Sequence, residues 1–220
     1  DKKSNLYAAE AQLHESDGSV IVNGKADVEK MTYEARAEIN EMRVDHFFPR
    51  DSVHSLSGGI EIKGNGTDFL SPQTSLSAKA ILENLQYKKW TLNNVEMTAN
   101  LHKGTGIIDF MSDNELLKIH ACTEAKIDRK ISKADFSLNL NHIDLYALNL
   151  SRDTLSASMI MKMDGSTNFK DNHHLEGSIQ AMELTMSDTA YHPLDLSMKL
   201  LREPDSIYVN ASAGDLLLSI

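Results

Sequence analysis

The sequence predicts an all-β protein: a long antiparallel β-sheet of meander strands with one apolar and one polar face. Three observations predict this fold. Apolar and polar residues alternate with period two along most of the chain, helical spacing is nearly absent, and short turn sequences separate the alternating segments. Alternation places the apolar side chains on one face of each strand. Short connections indicate antiparallel pairing, because parallel strands need long crossovers.

The predicted strands follow one another in chain order. Turn residues such as Gly64-Asn65-Gly66 and Gly104-Thr105-Gly106 separate them. Only two stretches, 112–118 and 146–151, are compatible with a helical turn. The alternating segments are 20–28, 31–44, 56–62, 76–80, 95–101, 119–127, 136–140, 155–163 and 194–200.

Composition limits the classes of function. The 220 residues are 41% hydrophobic and 25% charged, which is typical of a folded, soluble chain. With 22 Lys and Arg against 32 Asp and Glu, the net charge is −10. This charge argues against nucleic acid as a partner and against broad docking on anionic lipid. Cys122 is the single cysteine, which excludes an intrachain disulfide and a multi-thiolate zinc site.

No catalytic or cofactor-binding constellation is recognisable in the sequence. The glycine-rich segment 58–66 contains a lysine but lacks the Gly-Lys-Ser/Thr ending of a phosphate loop. The nine histidines show no metal-ligand spacing, and Cys122 has no local His or basic residue to activate it. The prediction is a protein that is not an enzyme, with no catalytic residues, no metal and no cofactor.

The chain also contains an internal repeat of about a hundred residues. Residues 42–119 align with 143–220 at an offset of 99 to 101, so that Val95, Met97, Ala99 and Leu101 fall on Leu194, Leu196, Met198 and Leu200. Repeats of this kind form quasi-one-dimensional structures in which each unit contacts only its neighbours. We therefore expect a partial unit at 1–41, a unit at 42–142 and a truncated unit at 143–220, as one continuous fragment of a larger protein.

The sequence resembles a known family over essentially its whole length. Gly64-x-Gly66-x-Asp68, Ser71-x-x-Thr74, Leu85-x-Tyr87 and Leu92-x-x-Val95-x-Met97 are similar to the repeat unit of the TamB and AsmA-like proteins, although Met163, Ser166 and Met186 depart from that pattern in the second copy. The resemblance implies a periplasmic protein, anchored in the inner membrane outside this fragment, that carries lipid toward the outer membrane. It also implies an elongated, curved antiparallel β-sheet of repeated meander units that forms an open, β-taco-like groove for acyl chains. Four Asp-Ser/Thr-apolar triplets, at Asp51, Asp153, Asp188 and Asp205, resemble the O-glycosylation sequon of Bacteroidota, but ordinary turn chemistry is the simpler interpretation.

The composition of the apolar face supports a groove independently of the resemblance. A one-faced sheet must cover its apolar face with another sheet, by closing on itself, or with a ligand. The face is rich in Ala and Met, and the chain has six Phe, six Tyr and one Trp. Ala leaves volume unfilled and Met suits promiscuous apolar surfaces, whereas a packed β-sandwich, the alternative fold, needs larger side chains to fill it.

Together with the resemblance, these observations predict a segment of a conduit that shields phospholipid acyl chains between the inner and outer membranes. The alternative function is a scaffold or chaperone for the assembly of outer-membrane β-barrel proteins, which would be its partners, through open strand edges. The residues expected to line the lipid groove are Leu76, Ala78, Ala80, Val95, Met97, Ala99, Leu101, Ile119, Ala121, Ile127, Leu194, Leu196, Met198 and Leu200.

Overall fold

The chain is almost entirely β-structure in the computed structural model. The structure describes residues 5–15, 18–47 and 53–214, and the backbone of 216–219. These residues form two compact units, residues 1–104 with 110–114 (unit 1) and residues 105–109 with 115–220 (unit 2).

Unit 1 contains seven complete strands and one short helix in its described part. The elements are β1 (Leu6–Glu15), β2 (Gly18–Asp27), β3 (Thr32–Arg43), α1 (Val44–Phe47), β4 (Val53–Asn65), β5 (Ser75–Tyr87), β6 (Trp90–Leu92) and β7 (Val95–His102). The next strand, β8 (Thr105–Asn114), contributes residues to both units.

Unit 2 contains a similar series of strands. Its strands are β9 (Leu117–Lys126), β10 (Ser132–Asp144), β11 (Leu155–Thr167), β12 (His173–Met186), β13 (Thr189–Tyr191), β14 (Leu196–Glu203), β15 (Ser206–Ala213) and β16 (Leu216–Ser219).

Hydrogen bonding places the strands in chain order. The order is β1-β2-β3-β4-β5-β7-β8-β9-β10-β11-β12-β14-β15-β16, with β6 beside β5 and β13 beside β12. Neighbouring strands within each unit pair antiparallel. The predicted all-β fold, an open antiparallel sheet of repeated meanders, is confirmed. Among the described residues the strands form one sheet, not the two packed sheets of a β-sandwich.

The strand series itself repeats. β1 begins at Leu6 and β8 at Thr105, 99 positions later, and each has 10 residues; β2 and β9 have the same offset and the same length. The three-residue strands β6 and β13 also begin 99 positions apart, at Trp90 and Thr189. The meander β1–β7 therefore recurs as β8–β14. The unit boundaries at 41/42 and 142/143 stay a prediction.

Irregularities in register recur with the strands. The pairing shifts between Ile39 and Met42 in β3 and between Leu140 and Ile143 in β10. In β5, Glu83 lies between the residues opposite Ser57 and Gly58 and has no opposite residue of its own in β4. A similar shift occurs in β12, between the residues opposite Ser158 and Ile160. Such β-bulges bend a strand and increase its twist.

Turn residues connect the strands as the sequence predicts. At the β7–β8 connection Lys103 and Gly104 both have positive φ, 51° and 76°, which is the conformation of a two-residue type I′ hairpin. Of the Asp-Ser/Thr triplets, Asp51 and Ser52 lie outside the described residues, while Asp153, Asp188 and Asp205 lie in or beside turns. That location is the one expected from turn chemistry.

The two expected helical turns have different outcomes. Residues 112–118 are the end of β8, a tight turn and the start of β9, so the helical prediction there is wrong. Residues 146–151 lie in a hydrogen-bonded turn after β10. Leu148 N–H donates to the carbonyl of Asp144, four residues earlier, at 3.1 Å, which is the bond of a single helical turn and agrees with the prediction. In the described part of the chain, no helix is long and apolar enough to cross a membrane.

Candidate functional site: an uncovered apolar sheet face

Most apolar strand residues of unit 1 lie on one face of its sheet, as the cross-strand register shows, whereas Ile21 and Ile81 lie on the other. Leu76 of β5 is opposite Leu101 of β7, Ala78 is opposite Ala99, and Ala80 is opposite Met97. Residues paired across an antiparallel ladder point to the same side of the sheet. The pairing therefore brings together the predicted groove residues of β5 and β7, and Val95 joins them opposite Leu82.

The same face continues across the other strands of unit 1. Leu76 pairs with Gly64, Ala78 with Ile62 and Ala80 with Ile60 on β4, and the register carries this face on to β1. The one charged residue on this face in the described ladder is Glu15 at the end of β1, which is opposite Gly18 and has its Oε1 2.6 Å from His46 Nδ1. Further members of the face on the first four strands are Tyr7, Ala9, Ala11, Leu13, Val20, Val22, Gly24, Ala26, Tyr33, Ala35, Ala37, Ile39, Met42, Leu56, Gly58, Ile60, Ile62 and Gly64.

Side-chain size varies systematically across this face. One row perpendicular to the strands consists of Ala9, Gly24, Ala35, Ile62, Ala78 and Ala99. A row nearer the strand ends consists of Leu13, Val20, Ile39, Gly58, Leu82 and Val95. Apart from Ile62, the first row consists of Ala and Gly, whereas the second row, apart from Gly58, consists of larger side chains; we call the first row the trough.

Little covers this face. Of the apolar residues whose side chains the structure describes, only Met42, Val95, Leu101 and Leu140 are buried. Met97, in the middle of the predicted groove, keeps 43% of its surface exposed, and Ile60 keeps 47%. In a β-sandwich these inward positions would be closely packed. Here they remain open to solvent or to a ligand.

Unit 2 has an equivalent face. Ile119 is opposite Leu140 and Ala121 is opposite Leu138. On β14, Leu196, Met198 and Leu200 face Ile179, Gly177 and Leu175 of β12, in that order. These five predicted groove residues of unit 2 therefore lie on one side of their strands.

An open pocket of about 560 Å³ lies on this face of unit 2. Gly177 leaves space between the flanking methionines, because a Cβ at that position would lie 3.0 Å from Cγ of Met163. A flexible, polarizable lining of this kind adapts to apolar ligands of varied shape. The side chains that line it from the apolar face are Met161, Met163, Ile179, Leu196, Met198, Ala211 and Ala213.

Two predicted groove residues lie outside the strands. Ile127 follows the last residue of β9, Lys126, and Leu194 lies in the interruption between β13 and β14. Leu194 is 60% exposed and its side chain approaches Gly214. The cross-strand register therefore does not assign either residue to the face.

Some members of the face were not predicted from the sequence. The face includes Tyr7, Ala9 and Ala11 of β1. These residues alternate with polar or small residues, so the sequence contains a signal from which this strand could have been predicted. Met161 and Met163 belong to a recognised alternating segment and face the pocket, but they were not among the expected lining residues.

The opposite face of the sheet is mostly polar and carries ion pairs. Lys63 Nζ lies 2.6 Å from Glu61 Oε1 and 3.7 Å from Glu34 Oε1 in unit 1. Hydrogen bonding from Lys25 lowers the pKa of Glu34, and hydrogen bonding from Lys63 lowers the pKa of Glu61. These pairs are exposed and individually weak. They keep one face of the sheet hydrated.

In unit 2, His120, His174 and Cys122 also lie on the polar face. His120 Nε2 is 2.8 Å from Asp109 Oδ2, and His174 Nε2 is 3.7 Å from Glu176 Oε2. Cys122, opposite Ser137 on the polar face, has its pKa raised by burial and by the nearby Asp109 and Glu124 carboxylates, which disfavours the reactive thiolate. No group of three or more metal-ligating side chains occurs in the part of the chain that the structure describes.

Comparison with protein-family models, with curated proteins and with solved structures gives no match to this chain.

Proposed function

We propose that this chain is a segment of a conduit that shields the acyl chains of phospholipids on its apolar sheet face during transport between two membranes. The observation that carries the proposal is the uncovered face, on which Met97 and Ile60 of unit 1 and Met198 of unit 2 are each more than 40% exposed. Large exposed apolar surfaces mark interaction sites or ligand grooves in soluble proteins.

The chemistry of the face suits an acyl chain rather than a specific small molecule. Burial of methylene groups is worth roughly 0.8 kcal/mol each and is non-directional. On β4, β5 and β7 the apolar face of unit 1 provides no charged group to orient a head group. Such a surface holds a hydrocarbon chain without fixing its position along the face. Movement of a lipid along the face requires this freedom.

The trough in unit 1 and the pocket in unit 2 support this proposal. Small side chains such as Ala35, Ala78 and Ala99 leave a low path across the strands, and the pocket of about 560 Å³ is lined by methionine and small residues. A path that crosses hydrogen-bonded strands follows the order of the sheet within a unit. Location in the periplasm, a membrane-anchored parent protein and kinship with TamB and AsmA-like proteins belong to the same proposal.

Charge placed on the apolar face tests the proposal. We expect M97D combined with M198D to weaken binding of a dansyl-labelled fatty acid at least about tenfold, because an acyl chain would have to desolvate two carboxylates. The matched control is N100D combined with S197D, which adds charge to the polar face of the same strands, where Asn100 pairs with Ser77 and Ser197 with Ser178.

Fluorescence titration of the purified chain measures this binding, and circular dichroism verifies that each variant retains its β-structure. Unchanged binding by the folded apolar-face variant, or an equal loss in the polar-face control, would contradict the proposal. Crosslinks from β1 to nascent β-barrel proteins, with no acyl-chain binding, would favour the scaffold function instead.

A further inference from the structure

The turns at one strand end of unit 1 present apolar side chains to solvent. Met31, directly before β3, is 53% exposed, and Phe69, in the β4–β5 connection, is 51% exposed. Val28 and Leu70 in the same two turns are also exposed. We name these four side chains, Val28, Met31, Phe69 and Leu70, the Met31 tip.

Hydrogen bonds hold this tip in place. Asp27 Oδ1 accepts the N–H groups of Glu29 and Lys30 at 3.1 and 3.0 Å. Gly66 N–H donates to the carbonyl of Met31 at 2.8 Å, which joins the β2–β3 turn to the β4–β5 connection. The apolar side chains therefore project from structured turns. They also adjoin the apolar face, since Tyr33, two residues after Met31, pairs with Gly64 on that face.

A similar arrangement recurs in unit 2. Ile131 lies directly before β10 and Phe169 lies in the β11–β12 turn; they are 56% and 55% exposed. Asp128 Oδ1 accepts the N–H of Lys130 at 2.7 Å, and Asn168 Oδ1 accepts that of Lys170 at 3.0 Å. We name Ile131 and Phe169 the Ile131 tip.

Lysines adjoin the apolar residues of both tips: Lys30 precedes Met31, Lys130 precedes Ile131, and Lys170 follows Phe169. Lysine is depleted at protein–protein interfaces, whereas at a membrane surface its long stem lies along apolar groups while the ammonium reaches the phosphates. Two to four half-exposed side chains also fall well short of the roughly 800 Å² per partner that a stable protein interface buries. A bilayer surface fits these tips better than a second protein.

We propose that the Met31 tip and the Ile131 tip insert into the boundary between head groups and acyl chains of a lipid bilayer. Through them, lipid passes from a leaflet onto the apolar face of the same unit. The second step rests on the proposed function, and the first does not. The net charge of −10 opposes attraction to an anionic surface, so binding depends on apolar insertion and is insensitive to salt.

Flotation of the full 220-residue chain with phosphatidylcholine vesicles tests the insertion step. We expect the wild-type chain to float with the vesicles and the quadruple variant M31S, F69S, I131S and F169S to lose about tenfold or more in partitioning, because four apolar side chains no longer leave water. The control is L150S with L194S, which removes two highly exposed leucines at the opposite strand end of unit 2.

Three results would overturn the insertion step: no flotation of the wild-type chain, normal flotation of the quadruple variant, or an equal loss in the L150S/L194S control. If the tip substitutions instead change the sedimentation of the chain alone and leave flotation unchanged, the tips are a protein interface and the proposal is wrong. Because the dansyl-labelled fatty acid assay contains no vesicles, it reports on the apolar face separately. Flotation without fatty-acid binding would therefore contradict the proposed function and leave the insertion step standing.

Discussion

Gly58 is a single residue that determines how closely β4 and β5 approach each other in unit 1. It lies on the apolar face opposite Leu82, beside the bulge that leaves Glu83 without a position in the ladder. A Cβ on Gly58 would collide with the carbonyl oxygen of Ile81 and would lie 3.3 Å from Cα of Leu82. Because these are backbone atoms, a larger residue could be accommodated only if β4 and β5 moved apart. The next residue, Gly59, would meet only Ala37 O, at 3.5 Å.

We therefore expect G58A to lower the free energy of unfolding by about 1–3 kcal/mol, the usual cost of overpacking. G59A is the matched control, since it lies one residue away on the other face and its Cβ makes an ordinary contact. It should be neutral or stabilising by up to about 1 kcal/mol, because alanine restricts the unfolded chain. Urea unfolding of both variants makes the comparison, and equal stabilities would show that the β5 bulge does not require glycine.

At the residue scale, much of the apolar face could be predicted from the sequence. Ala78, Ala99 and Met97 sit in unbroken alternation, and the ladder places them together. Ile127 and Leu194 continue the alternation beyond their strands, but local polar groups end the pairing there. Asp128 caps the turn after Ile127, and Asp195 Oδ1 accepts the N–H of Ala181 at 3.2 Å beside Leu194. The alternation of apolar and polar residues does not predict these side-chain hydrogen bonds.

At the scale of the element, the bulges had a signal in the sequence that period-two analysis does not use. The apolar spacing changes from two to three residues between Ile39 and Met42 in β3 and between Leu140 and Ile143 in β10. An extra residue in one strand restores the apolar side chain to its face. The tight turn that disproves the helical prediction at 112–118 had a weaker signal, because Asn114 and Glu115 are compatible with either structure.

The short helix α1 is held by an arginine–carboxylate pair. Arg43 Nε and Arg43 Nη2 donate to Asp45 Oδ1 and Oδ2 at 3.0 and 2.9 Å. His54 Nδ1 lies 3.4 Å from Asp45 Oδ2. The hydrogen bonds from Arg43 lower the pKa of Asp45 to about 2. Bidentate pairs of this kind are geometrically specific.

The lowered pKa of Asp45 predicts a pH dependence with a defined sign. Because the folded value of about 2 lies below the roughly 3.9 of an unfolded aspartate, the pair stabilises the fold fully above pH ~4. That contribution is lost as the pH falls through about 2. Carbon-13 NMR titration of the Asp45 carboxyl should give a midpoint near 2 in the wild-type chain and a higher one in R43Q. A midpoint near 3.9 in both proteins would contradict the role of Arg43.

At the scale of the whole molecule, the absence of a covered core has an energetic consequence. Compact domains derive most of their stability from burial of apolar side chains, yet only four apolar residues are buried among those whose side chains are described. Cross-strand pairs on the sheet supply local stabilisation of roughly 0.2–1 kcal/mol each. Much of the hydrophobic free energy available to this sequence is therefore still unrealised in the chain by itself.

A ligand that covers the apolar face should realise part of that free energy and stabilise the folded chain. A ligand that binds only the folded state at a concentration of 100 Kd adds about 2.7 kcal/mol to the free energy of unfolding. For a chain of 220 residues each kcal/mol raises Tm by about 2–4 °C. Saturating fatty acid should thus raise Tm by roughly 5–10 °C in a thermal scan followed by circular dichroism.

The variants separate this effect from a general influence of amphiphiles on proteins. The chain with M97D and M198D should keep its own Tm when fatty acid is added, because its apolar face no longer accepts the ligand. The chain with N100D and S197D should show the full increase, since its added charges lie on the polar face. Calorimetric titration should also give a negative heat-capacity change on binding, the mark of apolar burial. An equal rise in Tm in both variants would show that the ligand acts elsewhere on the molecule, and the apolar face would then have no part in lipid binding.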